Sequence, residues 1–320
     1  MTRILTGAVR LGILGALAAT LGVLIGVAGA SLHWTFDFAG QFLLPSMFVA
    51  GGAALVALLF RWPRLGLAGA IVSVAAYATA APWTSQPPAV AKDATRFSVL
   101  LFNIFYRNGQ LEAVREMIET TNADMVVLVE MTGRIRSELQ ELIAKYPYRL
   151  DCIGAGRCDI MVLSRSRILP REVKATSDPQ RSPLLVADTE IAGCRLTLFA
   201  THMTRPFPKR PFWAQRAQAE EIGGDVAAAT GAKLVLGDFN GAPWGYVVQT
   251  IAKRGGVSVL TGAGGTWPSA LPAELRIPID NMLAGPGLSF VSRSVLPQIG
   301  SDHVPVLAEI AVTDRTQCRQ

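Results

Sequence analysis

Two hydrophobic patterns divide the chain. In the first third, residues 11–36, 38–60 and 65–91 carry no Asp, Glu, Lys or Arg. Each run can cross a bilayer as a helix, which takes about 20 mostly apolar residues. Core helices of a water-soluble protein account poorly for three such runs in succession. The first run also resembles a cleaved signal peptide, since Arg3 and Arg10 precede an apolar stretch rich in Ala and Gly. A cleaved signal normally leads into a soluble chain, however, and here two more apolar runs follow. Residues 1–91 are therefore expected to form a membrane domain of three transmembrane helices.

From Phe97 onward the apolar runs shorten and alternate with polar stretches. Phe97–Phe105, Asp124–Glu130 and Asp159–Ser164 read as buried strands. Leu184–Ile191 and Arg195–His202 flank Ala192-Gly193-Cys194, the pattern of a hairpin. Further strands are expected at 233–237, 277–283 and 303–312. Leu111, Val114, Met117 and Ile118 recur at helical spacing. A second helix-like stretch reaches Ile143, and Phe212–Ala229 reads as a third helix. Many apolar strands with a few helices between them predict an α/β domain over residues 92–320. Its two mostly antiparallel sheets should pack together with helices outside.

Charge bears on orientation. Arg3 and Arg10 precede the first run, and Arg61 and Arg64 separate the second from the third. The loop between the first two runs holds only Asp37 and His33. The positive-inside rule then puts the N-terminus and the Arg61–Arg64 loop in the cytoplasm. Three crossings would leave everything after about Ala91 outside the inner (plasma) membrane, in the periplasm of a double-membraned cell. Thr84-Ser-Gln-Pro-Pro-Ala reads as a short extended linker.

Of 30 Lys+Arg and 24 Asp+Glu, four Arg and one Asp fall in residues 1–91. That leaves 26 basic and 23 acidic residues, so each part carries +3 of the net +6. Residues 92–320 are thus only mildly basic and show no strong nucleic-acid footprint. Cys152, Cys158, Cys194 and Cys318 all lie in this part. An oxidising compartment would allow pairing, with Cys152 and Cys158 closing a small loop; four reduced cysteines explain the composition equally well.

Polar residues recur at the ends of the expected strands. Asn103 sits in the first, Glu130 closes the second and His202 closes Arg195–His202. Asp238 and Asn240 follow 233–237, Asp280 sits in 277–283, and Asp302 and His303 open the last strand. Singly, each is explained as a turn former or a solvated group. Eight of them on runs that would otherwise be core point to a shared site. Acid, amide and imidazole together suit metal-assisted phosphoryl chemistry, which needs hard oxygen ligands for a cation and a base for water.

The order of these motifs resembles the endonuclease/exonuclease/phosphatase superfamily. Phe102-Asn103-Ile104, Val129-Glu130, Leu163-Ser164-Arg165, Thr201-His202-Met203, Gly237-Asp238-Phe239-Asn240, Ile279-Asp280 and Ser301-Asp302-His303 carry the resemblance. It covers about 97–312 and none of the first 91 residues. It implies a four-layer α/β sandwich and a hydrolase using Mg²⁺ or Mn²⁺. Glu130 would hold the ion, with Asn103 and Asp302 near it. Asp238 would activate water, while Asn240, together with Asn103, would bind the substrate phosphate. His303 would contact phosphate oxygen, Asp280 would orient it, and His202 would lie near the leaving group.

The chain departs from the pattern at Asp159, where relatives often have Asn or a small residue, and at Asn281. It also lacks an obvious counterpart of the tyrosine that the family's repair nucleases place upstream of Leu163-Ser164-Arg165, which counts against abasic-site repair. Gly265-Thr-Trp-Pro, and Trp244 after Gly-Asp-Phe-Asn, resemble the membrane-anchored bacterial branch. That branch includes glycopeptide-resistance-type membrane proteins with three N-terminal spans. The loop Thr204–Trp213 mixes basic, aromatic and proline residues. It suits lipid headgroups or stacked bases, or else is a rigid surface loop.

The expected substrate is a lipid-linked or other small phosphate compound met at the lipid bilayer. The alternatives are an extracytoplasmic nuclease acting on DNA or RNA, and a non-catalytic membrane scaffold. Oligomeric state is not legible.

Overall fold

A computed structural model describes residues 2–153, 158–174, 183–206 and 210–318. Its first third forms helices α1 (Thr2–Ala28), α2 (Trp34–Gly40), α3 (Leu43–Leu59) and α4 (Pro63–Thr84). α1 and α4 are each long and apolar enough to span a membrane, while α2 and α3 qualify only as a pair. That pair is bent by 62°. The expected second span over 38–60 is therefore corrected: its first residues belong to a separate short helix. The reason is local. α2 carries Asp37, whose Oδ1 accepts from the Tyr246 amide at 2.8 Å, and the Gly40 carbonyl accepts from Trp244 Nε1 at 2.7 Å. Both partners belong to the β-rich part of the chain, so α2 is turned to face it. Pro63 starts α4 at its first turn, where a missing amide costs nothing.

After the linker come β1 (Arg96–Asn103), α5 (Leu111–Thr121), β2 (Met125–Val129), α6 (Gly133–Glu138), α7 (Gln140–Ala144), β3 (Tyr148–Asp151), β4 (Met161–Ser164) and β5 (Ile168–Lys174). β6 (Leu184–Ile191), β7 (Cys194–His202), α8 (Arg210–Ala228), β8 (Lys233–Asp238) and α9 (Tyr246–Gly255) follow. β9 (Ser258–Val259), β10 (Asp280–Ala284), β11 (Leu288–Val295) and β12 (Val306–Val312) complete the strands. They form two six-stranded sheets, ordered β11-β12-β1-β2-β4-β3 and β5-β6-β7-β8-β10-β9. β1–β2 and β7–β8 pair in parallel, and the other ladders are antiparallel.

Alternation along the strands sets the layers. Val99, Leu101 and Val127 face Leu198, Leu236 and Met282 in the core between the sheets. Leu100, Phe102 and Leu128 point the other way, under Val114, Ile118 and Ile135 of α5 and α6. Phe199 and Val235 are covered by Ile222 and Val226 of α8 and by Val248 and Ile251 of α9. Successive side chains of a strand point to opposite faces, so strands apolar on both faces are buried on both. The result is helices, sheet, sheet, helices.

Two strands begin three residues later than expected. The strand expected at 277–283 begins at Asp280, and that expected at 303–312 begins at Val306. Asp302 and His303 thus lie in the loop ahead of β12 rather than opening it. The cysteines pair as Cys152–Cys158 and Cys194–Cys318.

The helical first third does not hang free on its linker. Leu43, Leu44, Ala76 and Ala80 share one buried cluster with Ala242, Trp244, Ile277 and Ile279. The Gly262 amide donates to the Trp83 carbonyl at 3.0 Å.

Candidate active site

Strand register builds the site. Parallel pairing of β7 with β8 sets His202 beside Asp238, and antiparallel pairing of β10 with β8 sets Asp280 opposite Asp238. Gly237 permits this closeness. A Cβ there would stand 1.8 Å from the Thr201 carbonyl oxygen, and its φ of +149° disfavours any side chain. In the other sheet, parallel pairing of β1 with β2 sets Asn103 beside Val129, one residue before Glu130. The two sheets meet where Asn103 Nδ2 donates to Asp238 Oδ2 at 3.0 Å and to Glu130 Oε1 at 3.3 Å. Its Oδ1 accepts from the Phe105 amide at 3.1 Å. Glu130, Phe105 and Asn240 all have positive φ, so non-glycine residues hold left-handed backbone around one spot.

The loop before β12 brings the last two groups. Ser301 Oγ donates to the Asn103 carbonyl at 2.7 Å and accepts from the His303 amide at 3.0 Å, which ties the loop to the end of β1. His303 Nδ1 lies 2.8 Å from Asp280 Oδ2, and its Nε2 lies 3.7 Å from Asp238 Oδ2. Burial weakens the His303 imidazolium, but Asp280 and Asp238 outweigh it and raise its pKa from 6.5 to about 9. Burial raises the Asp238 carboxyl above its ordinary value, against the pull of His303.

His202 Nε2 lies 3.8 Å from the same Asp238 oxygen, and its Nδ1 lies 2.9 Å from Asp159 Oδ2. Burial again opposes the charge, and Asp159 overcomes it, raising the His202 pKa to about 9. Asn240 donates its backbone amide to Asp238 Oδ1 at 2.8 Å and its side-chain amide to the Met203 carbonyl at 2.9 Å.

Asn240, Asp302 and His303 line a cavity of about 280 Å³, with Arg205 at the same wall. All eight residues expected from the sequence thus fall in one connected region. Two further residues belong to it. Asp159, a departure from the family pattern, is the partner of His202. Trp267, from Gly265-Thr-Trp-Pro, donates its Nε1 to Asp302 Oδ2 at 3.2 Å. An acid directly ahead of a buried strand was the available signal for Asp159; nothing in the sequence flagged Trp267 as a partner of Asp302.

The donor set fits a hard divalent cation. Asp302 Oδ1 is buried and accepts no hydrogen bond among the described residues. Glu130 Oε1 faces the Arg205 guanidinium at 3.3 Å, so a cationic group already sits against that carboxylate. Asp238, Asp280 and His303 form a tighter group, with ligand atoms within 4.8 Å of one another. There the 2.8 Å contact of His303 with Asp280 is a hydrogen bond, which engages both atoms. Asp302 Oδ1 and Asp280 Oδ1 are both buried without a hydrogen-bond partner among the described residues, whereas the Glu130 oxygens accept from Asn103, Arg205 and the Tyr106 amide.

Residues 100–303 match the Endonuclease/Exonuclease/phosphatase family. The chain belongs to this family. Its members hydrolyse phosphoric esters, and the chain is an enzyme of that class. No curated protein matches the chain significantly.

Among solved structures, the D. rerio TDP2 complex with a single-strand DNA product superposes with a TM-score of 0.54 at 16% identity, covering 68% of this chain and 99% of that one. The endonuclease/exonuclease/phosphatase from Bacteroides vulgatus gives 0.53 at 17%, with coverage of 68% and 99%. Staphylococcus aureus beta toxin gives 0.52 at 15%, with coverage of 66% and 99%. At such identities the likeness is one of fold. The family match, over residues 100–303, does not include the helical first third.

Proposed function

We propose that the chain is a membrane-anchored, divalent-metal-dependent phosphoesterase whose catalytic domain, residues 92–320, faces the extracytoplasmic side. One observation carries the catalytic part: Asn103, Glu130, Asp238, Asp280 and His303 come from both sheets into a single buried network that opens on a cavity. The anchor is supported by α1 and α4, with the α2–α3 pair as a bent third span. The extracytoplasmic side is supported by the arginine distribution and by four paired cysteines, which persist in oxidising compartments.

In this reading Glu130 and Asp302 hold Mg²⁺ or Mn²⁺. Bound there, such an ion would supply positive charge against the phosphate oxygens. Asp238 accepts a proton from the attacking water, a role suited to a carboxyl whose proton affinity is raised. His303, held charged by Asp280, donates to a phosphate oxygen. Asn240 positions that phosphate without adding charge. His202, held by Asp159, stands at the other side of Asp238 for the leaving group. Asn103 keeps Glu130 and Asp238 at fixed spacing by donating to both.

The test uses the full chain in detergent with bis(p-nitrophenyl) phosphate. Release of p-nitrophenolate with Mg²⁺ or Mn²⁺, lost on chelation and restored by the ion, is the expected result. Hydrolysis indifferent to chelation would reject the metal. No hydrolysis with either ion would reject the phosphoesterase.

A further inference from the structure

We propose that α2 completes the active site, and that its aromatic residues bind the apolar chain of a phosphoric ester supplied by the bilayer. This rests on the phosphoesterase reading above and names its substrate class. One wall of the catalytic cavity comes from the first third of the chain. Phe38, Gln41 and Phe42, at the end of α2 and the turn after it, line the space that Asn240, Asp302 and His303 also line.

This wall is fixed in place. Besides the bonds of Trp244 to Gly40 and of the Tyr246 amide to Asp37, Arg216 Nη2 donates to the Ala30 carbonyl at 3.0 Å. A Cβ on Gly26 of α1 would stand 2.6 Å from the Phe36 carbonyl oxygen, so α2 lies in close backbone contact with α1. A segment serving only as a tether needs no such docking, since a flexible linker suffices.

The location suits a lipid. α2 joins the end of α1 to the start of α3, at the end of the apolar helices where α4 also delivers the chain to the catalytic domain. Trp34, Phe36, Phe42 and Trp83 gather at this end, as aromatic residues do at a membrane–water boundary. The cavity, at about 280 Å³, is small beside ligand sites of roughly 300–1,000 Å³. It holds a phosphate and a short stub of chain, and the remainder must leave it. Phe42 is 38% exposed, and no formal charge occurs from Phe38 to Phe60. An alkyl chain can therefore pass from the cavity along α3 into the bilayer without crossing a charged group of that segment. A polynucleotide would need a run of basic groups along this wall. Arg205 is the one guanidinium lining the cavity among the described residues, and it is paired with Glu130, while Phe38, Gln41, Phe42, Ile277 and Ile279 carry no charge.

The test compares dodecyl with methyl p-nitrophenyl phosphate, using the full chain in lipid nanodiscs with Mg²⁺. In both, water oxygen bonds to phosphorus and the P–O bond to p-nitrophenolate breaks. The dodecyl ester should have the higher kcat/KM. Phe38→Ala and Phe42→Ala should each lower the dodecyl-to-methyl ratio by about tenfold, as expected when apolar contact is lost. Leu32→Ala, on the exposed loop before α2, should leave the ratio as it is. Equal kcat/KM for the two esters, or an unchanged ratio in both Phe variants, overturns the proposal.

Tryptophan fluorescence with dodecylphosphonate and methylphosphonate separates the two readings. Tighter dodecylphosphonate binding that depends on Phe38, without hydrolysis of either ester, supports the α2 site while the phosphoesterase reading fails. Hydrolysis of both esters with no such dependence does the reverse. All variants share the same discs, so lipid partitioning is common to them.

Discussion

At the scale of single residues, the site is a set of opposed charges that fix one another. Asp238 sits between two imidazoles, each backed by its own acid: Asp280 behind His303 and Asp159 behind His202. Removing the centre or either partner should therefore cost far more than a surface change. Asp238→Asn and His303→Ala should each lower kcat by about 10² or more, measured on bis(p-nitrophenyl) phosphate; either variant with wild-type kcat would refute its assigned role. The second pair also predicts a pH dependence of stability. His202 titrates at about 9 in the fold against 6.5 unfolded, so folding favours its protonated form. That stabilisation is fully present below pH 6.5 and is lost as pH rises through 9. Denaturant midpoints should show Asp159→Asn destabilised most near pH 6, with the gap to wild type closing above pH 9. A gap constant from pH 6 to pH 10 would mean that Asp159 does not hold the His202 charge. The sequence exposed the residues of the site because polar groups on strand ends stand out against apolar runs. It hid Asp159 because its meaning lies in a contact with His202, 43 residues away.

At the scale of elements, legibility followed burial. β1, β2, β4 and β8 were readable because their runs are apolar on both faces. β3 and β5 were not. Both lie at sheet edges, with exposed positions such as Tyr148 in β3 and Arg171 in β5, so neither forms an apolar run. α9 was missed although Val247, Val248 and Ile251 are buried, since a ten-residue helix offers few turns of pattern. The break between α2 and α3 was hidden for the opposite reason: the run is uniformly apolar, and only docking to Trp244 and Tyr246 turns α2 aside. The disulfides join elements at different ranges. Cys194–Cys318 ties the chain end to the β6–β7 hairpin across 124 residues, whereas Cys152–Cys158 spans six. Loop-closure entropy then assigns about 5 kcal/mol to the long bridge and about 2 kcal/mol to the short one. Thermal unfolding should show a larger fall in Tm for the Cys194→Ala/Cys318→Ala pair than for Cys152→Ala/Cys158→Ala. The reverse order would place the stabilisation elsewhere than in the unfolded chain.

At the scale of the whole molecule, the helical first third and the sandwich share a core, so they should not behave as separable parts. The sequence suggested otherwise, because Ser85-Gln-Pro-Pro reads as a linker and the composition changes abruptly beyond it. The contacts that join the two parts are long-range. Without residues 1–91, Ala242, Trp244, Ile277 and Ile279 lose Leu43, Leu44, Ala76 and Ala80 from their cluster. Trp244 Nε1, the Tyr246 amide, the Gly262 amide and Arg216 Nη2 lose acceptors at the same time. Water can replace the hydrogen bonds at little net cost, but it cannot replace the apolar contacts. A 92–320 fragment should therefore expose an apolar patch beside the catalytic cavity, bind a hydrophobic dye, and unfold at lower temperature than the full chain in detergent. Because Ile277 and Ile279 lie three residues or fewer from β10 and its Asp280, loosening that patch should also lower kcat toward bis(p-nitrophenyl) phosphate. A fragment with the full chain's Tm, no dye binding and unchanged kcat would show that the first third anchors the enzyme without helping to build it.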